Sequence, residues 1–274
     1  MKNQIDWQQI LLQCKTNIQK AIQPCLKTIK EPQPNLGMGA GGDTMKPVDL
    51  AAETAIVQTL QQHGVSFTLI SEESGIKEYG AAPKECYLCV DPIDGTTNLM
   101  HGLPFYCSSI AVSNKPELEG VYAGIVVDLF HDDTYIALEG RGAYCNGKRI
   151  HTSKTDSLDD AVVGVDLNAY KAKLDMKIAA VLIENIRHTR HFGANALEVC
   201  QVAAGLTDAF IDLRNKIRAT DVAAGFLIVK EAGGTVTDRE NNPINIKLDP
   251  KQKLSFIASA NMEIHKKILN LVKS

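Results

Sequence analysis

Apolar positions in the first thirty residues recur every three or four places, at Ile10, Leu11, Cys14, Ile18, Ile22, Cys25, Leu26 and Ile29. That period predicts an amphipathic helix over residues 3–30. The run Glu31-Pro32-Gln33-Pro34-Asn35 ends it, because proline cannot continue a helix. A second helix is expected over 47–63, with Val48, Ala51, Ala52, Ala55, Ile56 and Leu60 on one side and Pro47 at its first turn. Residues 37–43 between them form a flexible glycine loop. The pattern then changes to short apolar runs. Residues 66–71 and 86–91 read as strands that end in acids, and 108–113, 120–128 and 133–140 read as an antiparallel meander. Asn146-Gly147 is a hairpin turn signal. In the second half, strands are expected at 161–167, 208–213, 235–238 and 255–259, and helices at 171–185, 194–204 (stopped by Gly205), from Thr220-Asp221 to Gly233-Gly234, and 262–273. Helices and strands in this mixture imply an α/β (α+β) layered fold. No repeat or linker divides the chain, so residues 1–274 are expected to form a single domain.

Composition narrows the function classes. The 274 residues are 45% hydrophobic and 22% charged, which is ordinary for a globular protein and excludes disorder along the whole chain. With 29 Lys plus Arg against 32 Asp plus Glu, the net charge of −3 argues against nucleic acid as a partner. No window of 18 apolar residues is present, so no membrane span is expected. The N-terminus lacks an apolar signal core, and seven cysteines, an odd number scattered along the chain, suit a reducing, cytoplasmic location. Cys86 and Cys89 form a lone CxxC inside a strand pattern, and His188 and His191 sit three apart. Neither is completed into a zinc site, and both read as packing or solvent features. Gly37-x-Gly39-x-x-Gly42 fits a dinucleotide fingerprint only formally, since prolines precede it and position 62 is Gln62 rather than an acid.

The chemistry concentrates in Cys89-Val90-Asp91-Pro92-Ile93-Asp94-Gly95-Thr96-Thr97-Asn98. An apolar strand delivers Asp91 to its end, Pro92 stiffens the turn, and Asp94 returns three residues later. Paired carboxylates suit a hard cation such as Mg²⁺. Backbone N–H groups at Gly95-Thr96-Thr97 suit a phosphate, and Thr96 or Thr97 could orient a water. The plainer alternative is that Asp94 caps a helix and Asp91 is a turn acid. Two further acids shift that balance: Glu72 follows the strand that ends in Ser71, and Asp221 precedes Val222-Ala223-Ala224-Gly225 at a helix start. Acids converging from four element ends repel one another unless cations are bound.

At these residues the chain resembles the inositol monophosphatase family of Mg²⁺-dependent, lithium-sensitive phosphatases. Ser71-Glu72-Glu73-Ser74 looks like its metal-binding glutamate segment, residues 91–98 (DPIDGTTN) match its central motif without a change, and 219–234 (ATDVAAGFLIVKEAGG) resemble its C-terminal motif. Residues 144–150 (YCNGKRI) also look like a family hairpin. The resemblance implies a layered αβαβα sandwich, a homodimer, and a small sugar-phosphate substrate such as inositol 1-phosphate or fructose 1,6-bisphosphate. It implies a metal-binding N-terminal half (about 1–150) and a substrate-contacting C-terminal half (about 151–274). Glu72, Asp91, Asp94, Asp221 and the Ile93 carbonyl would bind two or three Mg²⁺ per subunit. Gly95 and Thr96 would give N–H groups to the phosphate, with Glu72 and Thr96 as catalytic groups.

Some segments depart from the animal inositol enzymes. Their threonine partner is an aspartate on the helix after the glycine loop, and here Asp49 or Glu53 could take that part. Their sugar-contacting glutamate corresponds to Arg214. Residues 212–221, 39–53 and 190–200 look instead like the archaeal branch, which often acts on both substrates named above. On that reading Arg190, Arg214 and Arg218 could hold a second phosphate, and Asp94, Gly193, Ala194 and Asn195 would contact the sugar. The lid-like role of the family segment suits the glycines at 37–43. Two rivals remain: a nucleotide phosphatase acting on 3′-phosphoadenosine 5′-phosphate, which 274 residues leave little room for, and a catalytically silent phospholigand-binding protein, in which a metal acid would be missing.

Overall fold

The computed structural model describes residues 5–170 and 174–273. The first amphipathic pattern forms α1 (Trp7–Lys27); residues 3–4 of the expected helix lie outside the described residues. Asp6 caps it, accepting the Gln9 N–H at 3.1 Å. The buried stripe is Trp7, Ile10, Leu11, Cys14, Ile18 and Ile22, packed on α2 (Pro47–Gln62). Then come β1 (Phe67–Ser71), β2 (Gly75–Tyr79), β3 (Tyr87–Asp94), the short helix α3 (Thr96–His101), β4 (Cys107–Ser113), β5 (Val121–Asp128), β6 (Thr134–Leu138), β7 (Ala143–Cys145) and β8 (Lys148–Arg149). These strands make one eight-stranded sheet in the order β2-β1-β3-β4-β5-β6-β7-β8. Only the β1–β3 pair is parallel. The expected meander is β4-β5-β6, and the expected turn joins β7 to β8 with Asn146 and Gly147 at φ 50° and 74°.

The second half supplies β9 (Val162–Val165), α4 (Met176–Asn185), β10 (His188–Arg190), α5 (Asn195–Ala203), β11 (Ala209–Arg218), α6 (Ala219–Glu231), β12 (Thr235–Thr237), β13 (Lys253–Ser259) and α7 (Met262–Lys273). Its sheet has the order β10-β9-β11-β13-β12. The helix expected at 171–185 starts later, at Met176 behind its cap Asp175; residues 171–173 lie outside the described residues. Four strands differ from expectation. β3, expected to end at Asp91 before a turn at Pro92, runs on to Asp94 through an irregularity between the two acids. β2 and β10 carry too few alternating apolar residues to signal themselves. β11 continues past 213 to Arg218: pairing with β13 resumes at Ile217 and Arg218 after a register shift beyond Asp212, and the polar tail between carries no apolar alternation to mark it.

Three apolar clusters bind the layers. One joins α1 and α2 to the first sheet, a second fills the space around α5 and α6 between the two sheets, and a third joins α4 and α7 to the outer face of the second sheet. The result is the αβαβα sandwich. Strand alternation decides which layer receives each side chain. In β3, Leu88 and Val90 face α1 and α2, while Cys89 joins the cluster of α5 and α6. Asp91, two residues beyond Cys89, therefore leaves the strand toward α6. All seven cysteines are unpaired, and Cys86 and Cys89 are buried, in keeping with a packing role.

Candidate active site

Four acids reach one cleft from the ends of three elements, β1, β3 and α6. Glu72 is the residue after β1, and its N–H donates to the Val90 carbonyl at 3.2 Å, which ties it to β3. Asp91 and Asp94 lie either side of a β-bulge, since Asp91 pairs with Ser109 but Asp94 with Cys107. The extra residue re-aims the strand end. Asp221 sits in the first turn of α6 and accepts the Arg218 N–H at 3.0 Å and the Thr220 hydroxyl at 2.9 Å. One carboxylate oxygen from each of Glu72, Asp91 and Asp221 lies within 4.8 Å of the others. Asp94 lines the same cleft but gives Oδ2 to the Ala196 N–H at 2.6 Å, which docks α5 onto the strand.

This cluster is electrostatically strained without a cation. Burial, then the charge of Glu72, pushes Asp91 well above the ordinary carboxylate range. Burial and Asp221 do the same to Asp94, and burial and Asp221 raise Glu72 to about 7. Asp91 Oδ1 is buried and has no hydrogen-bond partner. Three converging oxygens, one of them unsatisfied, fit a hard divalent cation held by carboxylates.

One cation of the chain itself already touches the cluster. Arg218 Nη1 donates to Glu72 Oε1 at 2.6 Å, and Nη2 donates to the Gly41 carbonyl at 2.9 Å and to Asp43. Burial works against its charge, but Glu72, Asp221 and Asp43 more than offset this and hold it above its ordinary value. Arg218 thus joins the glycine loop to a cluster acid. The loop is also fixed by backbone bonds from Ala40 and Gly41 to the carbonyls of Glu73 and Glu72. A Cβ on Gly41 would meet Glu72 Cγ at 2.6 Å, so close approach explains the glycine there.

The threonine partner is resolved by distance. Thr96 Oγ1 lies 3.4 Å from Asp49 Oδ1 and 2.8 Å from the Ile93 carbonyl. Asp49 is buried, and its other oxygen accepts the Lys46 N–H at 2.9 Å. Glu53 turns away: its Oε2 accepts from the Ser71 hydroxyl and, at 3.2 Å, from the Ser74 N–H. Of the two candidates for the threonine, Glu53 is thereby corrected to a support of the Ser71–Ser74 turn. Gly95 has φ +87°, and a Cβ there would meet Ala194 Cβ and the Phe105 carbonyl at 3.0 Å each, so only glycine fits this step.

The cleft holds about 610 Å³, with Asp166, Gly193, Asn195, Arg214, Lys216 and Arg218 on the wall contributed by the second half. Ala194 is buried at the start of α5. Gly193 is set by Glu198, which accepts the Phe192 and Gly193 N–H groups at 3.1 and 3.0 Å. Burial raises Glu198 to about 7, against those two bonds. The arginines do not behave as expected. Arg190 is exposed on β10, bonds the Thr189 carbonyl, and is not on the cleft wall. Arg214 is only 6% exposed and is held by Asp166, Asp212 and the Asn168 carbonyl. A guanidinium between two carboxylates is neutralised where it stands. His191 lies 3.5 Å from Asp166 and 3.7 Å from Glu198.

Asp43, Lys46, Asp166 and Lys216 also line the cleft, and the sequence reading does not single them out as site residues. Asp166 follows an apolar strand just as Glu72 and Asp91 do, so the same strand-end signal marks it. Asp43 and Lys216 lie in polar stretches and carry no such mark.

Comparison with known proteins gives the family and the fold. A family model described as "Inositol monophosphatase family" matches residues 7–274. The chain is 35% identical to a fructose-1,6-bisphosphatase/inositol-1-monophosphatase of Methanothermobacter thermautotrophicus, over 97% of this chain and 96% of that protein. It is 33% identical to a bifunctional NADP phosphatase/NAD kinase of Methanococcus maripaludis, over 97% of this chain but 49% of that longer protein. Among solved structures, an inositol monophosphatase-fructose 1,6 bisphosphatase superposes with a TM-score of 0.85 at 28% identity, covering 97% of this chain and all of that one.

Proposed function

The chain belongs to the inositol monophosphatase family, and from that premise we propose that it is a Mg²⁺-dependent phosphomonoesterase hydrolysing small sugar phosphates, inositol 1-phosphate and fructose 1,6-bisphosphate among them. The observation that carries this reading is the meeting of Glu72, Asp91 and Asp221 from three separate elements, with Asp91 Oδ1 unsatisfied. Glu72, Asp91, Asp94, Asp221 and the Ile93 carbonyl are the groups assigned to two or three ions. Bound there, divalent cations supply charge neutralisation at the phosphoryl oxygens and make a water easier to deprotonate.

The chain's own residues do the rest. The Gly95 and Thr96 N–H groups receive the phosphate. Thr96 Oγ1 orients the attacking water, and Asp49 Oδ1 beside it is where the hydroxyl proton can go. Burial lifts Asp49 to about 6, nearer to neutral pH than a free carboxyl. Gly193, Ala194 and Asn195 leave room for the sugar, and Asp94 fixes them by holding α5 through the Ala196 N–H. No covalent phosphoenzyme is needed, since positioning and charge suffice. The two halves work as one domain across the cleft. A homodimer follows the family pattern, and seven unpaired cysteines favour the cytoplasm.

The relatives named bifunctional NADP phosphatase/NAD kinase favour NADP as a second substrate to try. Phosphate release is to be measured from inositol 1-phosphate, fructose 1,6-bisphosphate and NADP, with and without Mg²⁺. Turnover of a sugar phosphate that needs Mg²⁺ is expected. The variants Asp91→Asn and Asp221→Asn should each fall at least about a hundredfold while staying folded. No release from either sugar phosphate, or near-wild-type rates in both variants, would overturn the reading.

A further inference from the structure

Three cations of β11 line the cleft: Arg214, Lys216 and Arg218. Their partners differ. Arg214 is held between Asp166 and Asp212, and Arg218 between Glu72 and Asp43. Among the described residues Lys216 pairs with no carboxylate; its ammonium donates to the Tyr170 carbonyl at 3.2 Å. The cleft's other lysine, Lys46, offsets the charge of Asp49 at the threonine end.

The backbone places Lys216 deliberately. Between Asp212 and Ile217 the strand loses register with β13, and Asn215 adopts φ 51°, its N–H held by Ser255 Oγ at 2.8 Å. Such a bulge re-aims side chains that regular pairing would send elsewhere. An ammonium without a counter-ion in a polar cleft is the group most available to an anion, because a paired guanidinium must first give up its carboxylate.

We propose that Lys216 holds the second, uncleaved phosphate of a bisphosphorylated sugar and so sets the preference for bisphosphates over monophosphates at this site. The inference rests on the phosphatase reading above, but it assigns the second anion to a residue other than Arg190, Arg214 or Arg218. Lys216 touches substrate in this proposal, so its effect must depend on the second phosphate.

The test compares wild type, Lys216→Gln and Lys216→Arg on fructose 1,6-bisphosphate and inositol 1-phosphate with Mg²⁺ present. Lys216→Gln should raise KM for the bisphosphate about tenfold or more, as loss of a charge-assisted bond does, with kcat little changed. KM for inositol 1-phosphate should stay within about twofold, and Lys216→Arg should restore most of the bisphosphate affinity. Equal losses on both substrates would mark a structural role through Tyr170 and overturn the inference, as would an unchanged KM for the bisphosphate. If wild type hydrolyses inositol 1-phosphate normally, either result overturns this inference alone. If wild type hydrolyses neither sugar phosphate, the phosphatase reading falls and the inference falls with it.

Discussion

Asp49 and Glu53 stand four apart on one helix, and both are buried. Spacing alone cannot rank them, because both point to the same side of α2. Distance does: Asp49 approaches the Thr96 hydroxyl, whereas Glu53 braces the turn that carries Glu72. Replacement should therefore split kinetics from stability. Asp49→Asn should lower kcat by roughly a hundredfold or more with KM little moved, as loss of a proton acceptor does. Glu53→Gln should instead lower the melting temperature and weaken Mg²⁺ binding through Glu72. Steady-state kinetics and thermal melts on both variants check this; a larger kcat loss for Glu53→Gln would reverse the assignment. The motif acids were legible at this scale because strand-end chemistry is local. The arginines were not, since a basic residue looks the same in sequence whether it faces substrate or is already neutralised by Asp166 and Asp212.

At the scale of elements, α5 is placed by carboxylates at its start. Asp94 holds the Ala196 N–H, and Glu198 holds the turn at Phe192 and Gly193. Glu198 takes up its proton at about 7 in the folded chain, against an ordinary value of 4.5. Between those values the folded state binds more protons than the unfolded one, so stability falls as pH rises from about 4.5 to about 7. Melting temperatures of wild type and Glu198→Gln across that window should converge at the acid end and differ in slope above it, the variant being flatter. Parallel curves would remove Glu198 as the source. The bulges in β3 and β11 belong to this scale too. Both lie beside residues that line the cleft, and neither shows in the hydrophobic pattern, because a bulge is a relation between two strands.

For the molecule as a whole, the first half supplies Glu72, Asp91 and Asp94, and the second supplies Asp221 and the wall, so the site exists only when the layers are assembled. A ligand that binds only that assembled site stabilises the folded state, by about 2.7 kcal/mol at a hundredfold excess over its Kd. Mg²⁺ should therefore raise the melting temperature of metal-free protein and chelator should reverse the gain. Asp91→Asn should abolish most of the Mg²⁺ effect and leave the metal-free protein at least as stable, because one of the mutually repelling carboxylates is gone. An unchanged Mg²⁺ response in that variant would contradict the cluster's role. The sequence by itself determined the layered fold, the periodic helices and strands, and the acid motif, since each depends on spacing within a few residues. Only the tertiary structure decided that Asp49 meets Thr96, that Arg190 lies outside the cleft, and that, among the described residues, Arg214 and Arg218 have carboxylate partners while Lys216 has none. Those facts depend on where residues far apart in the chain come to rest, and sheet register and layer packing set that.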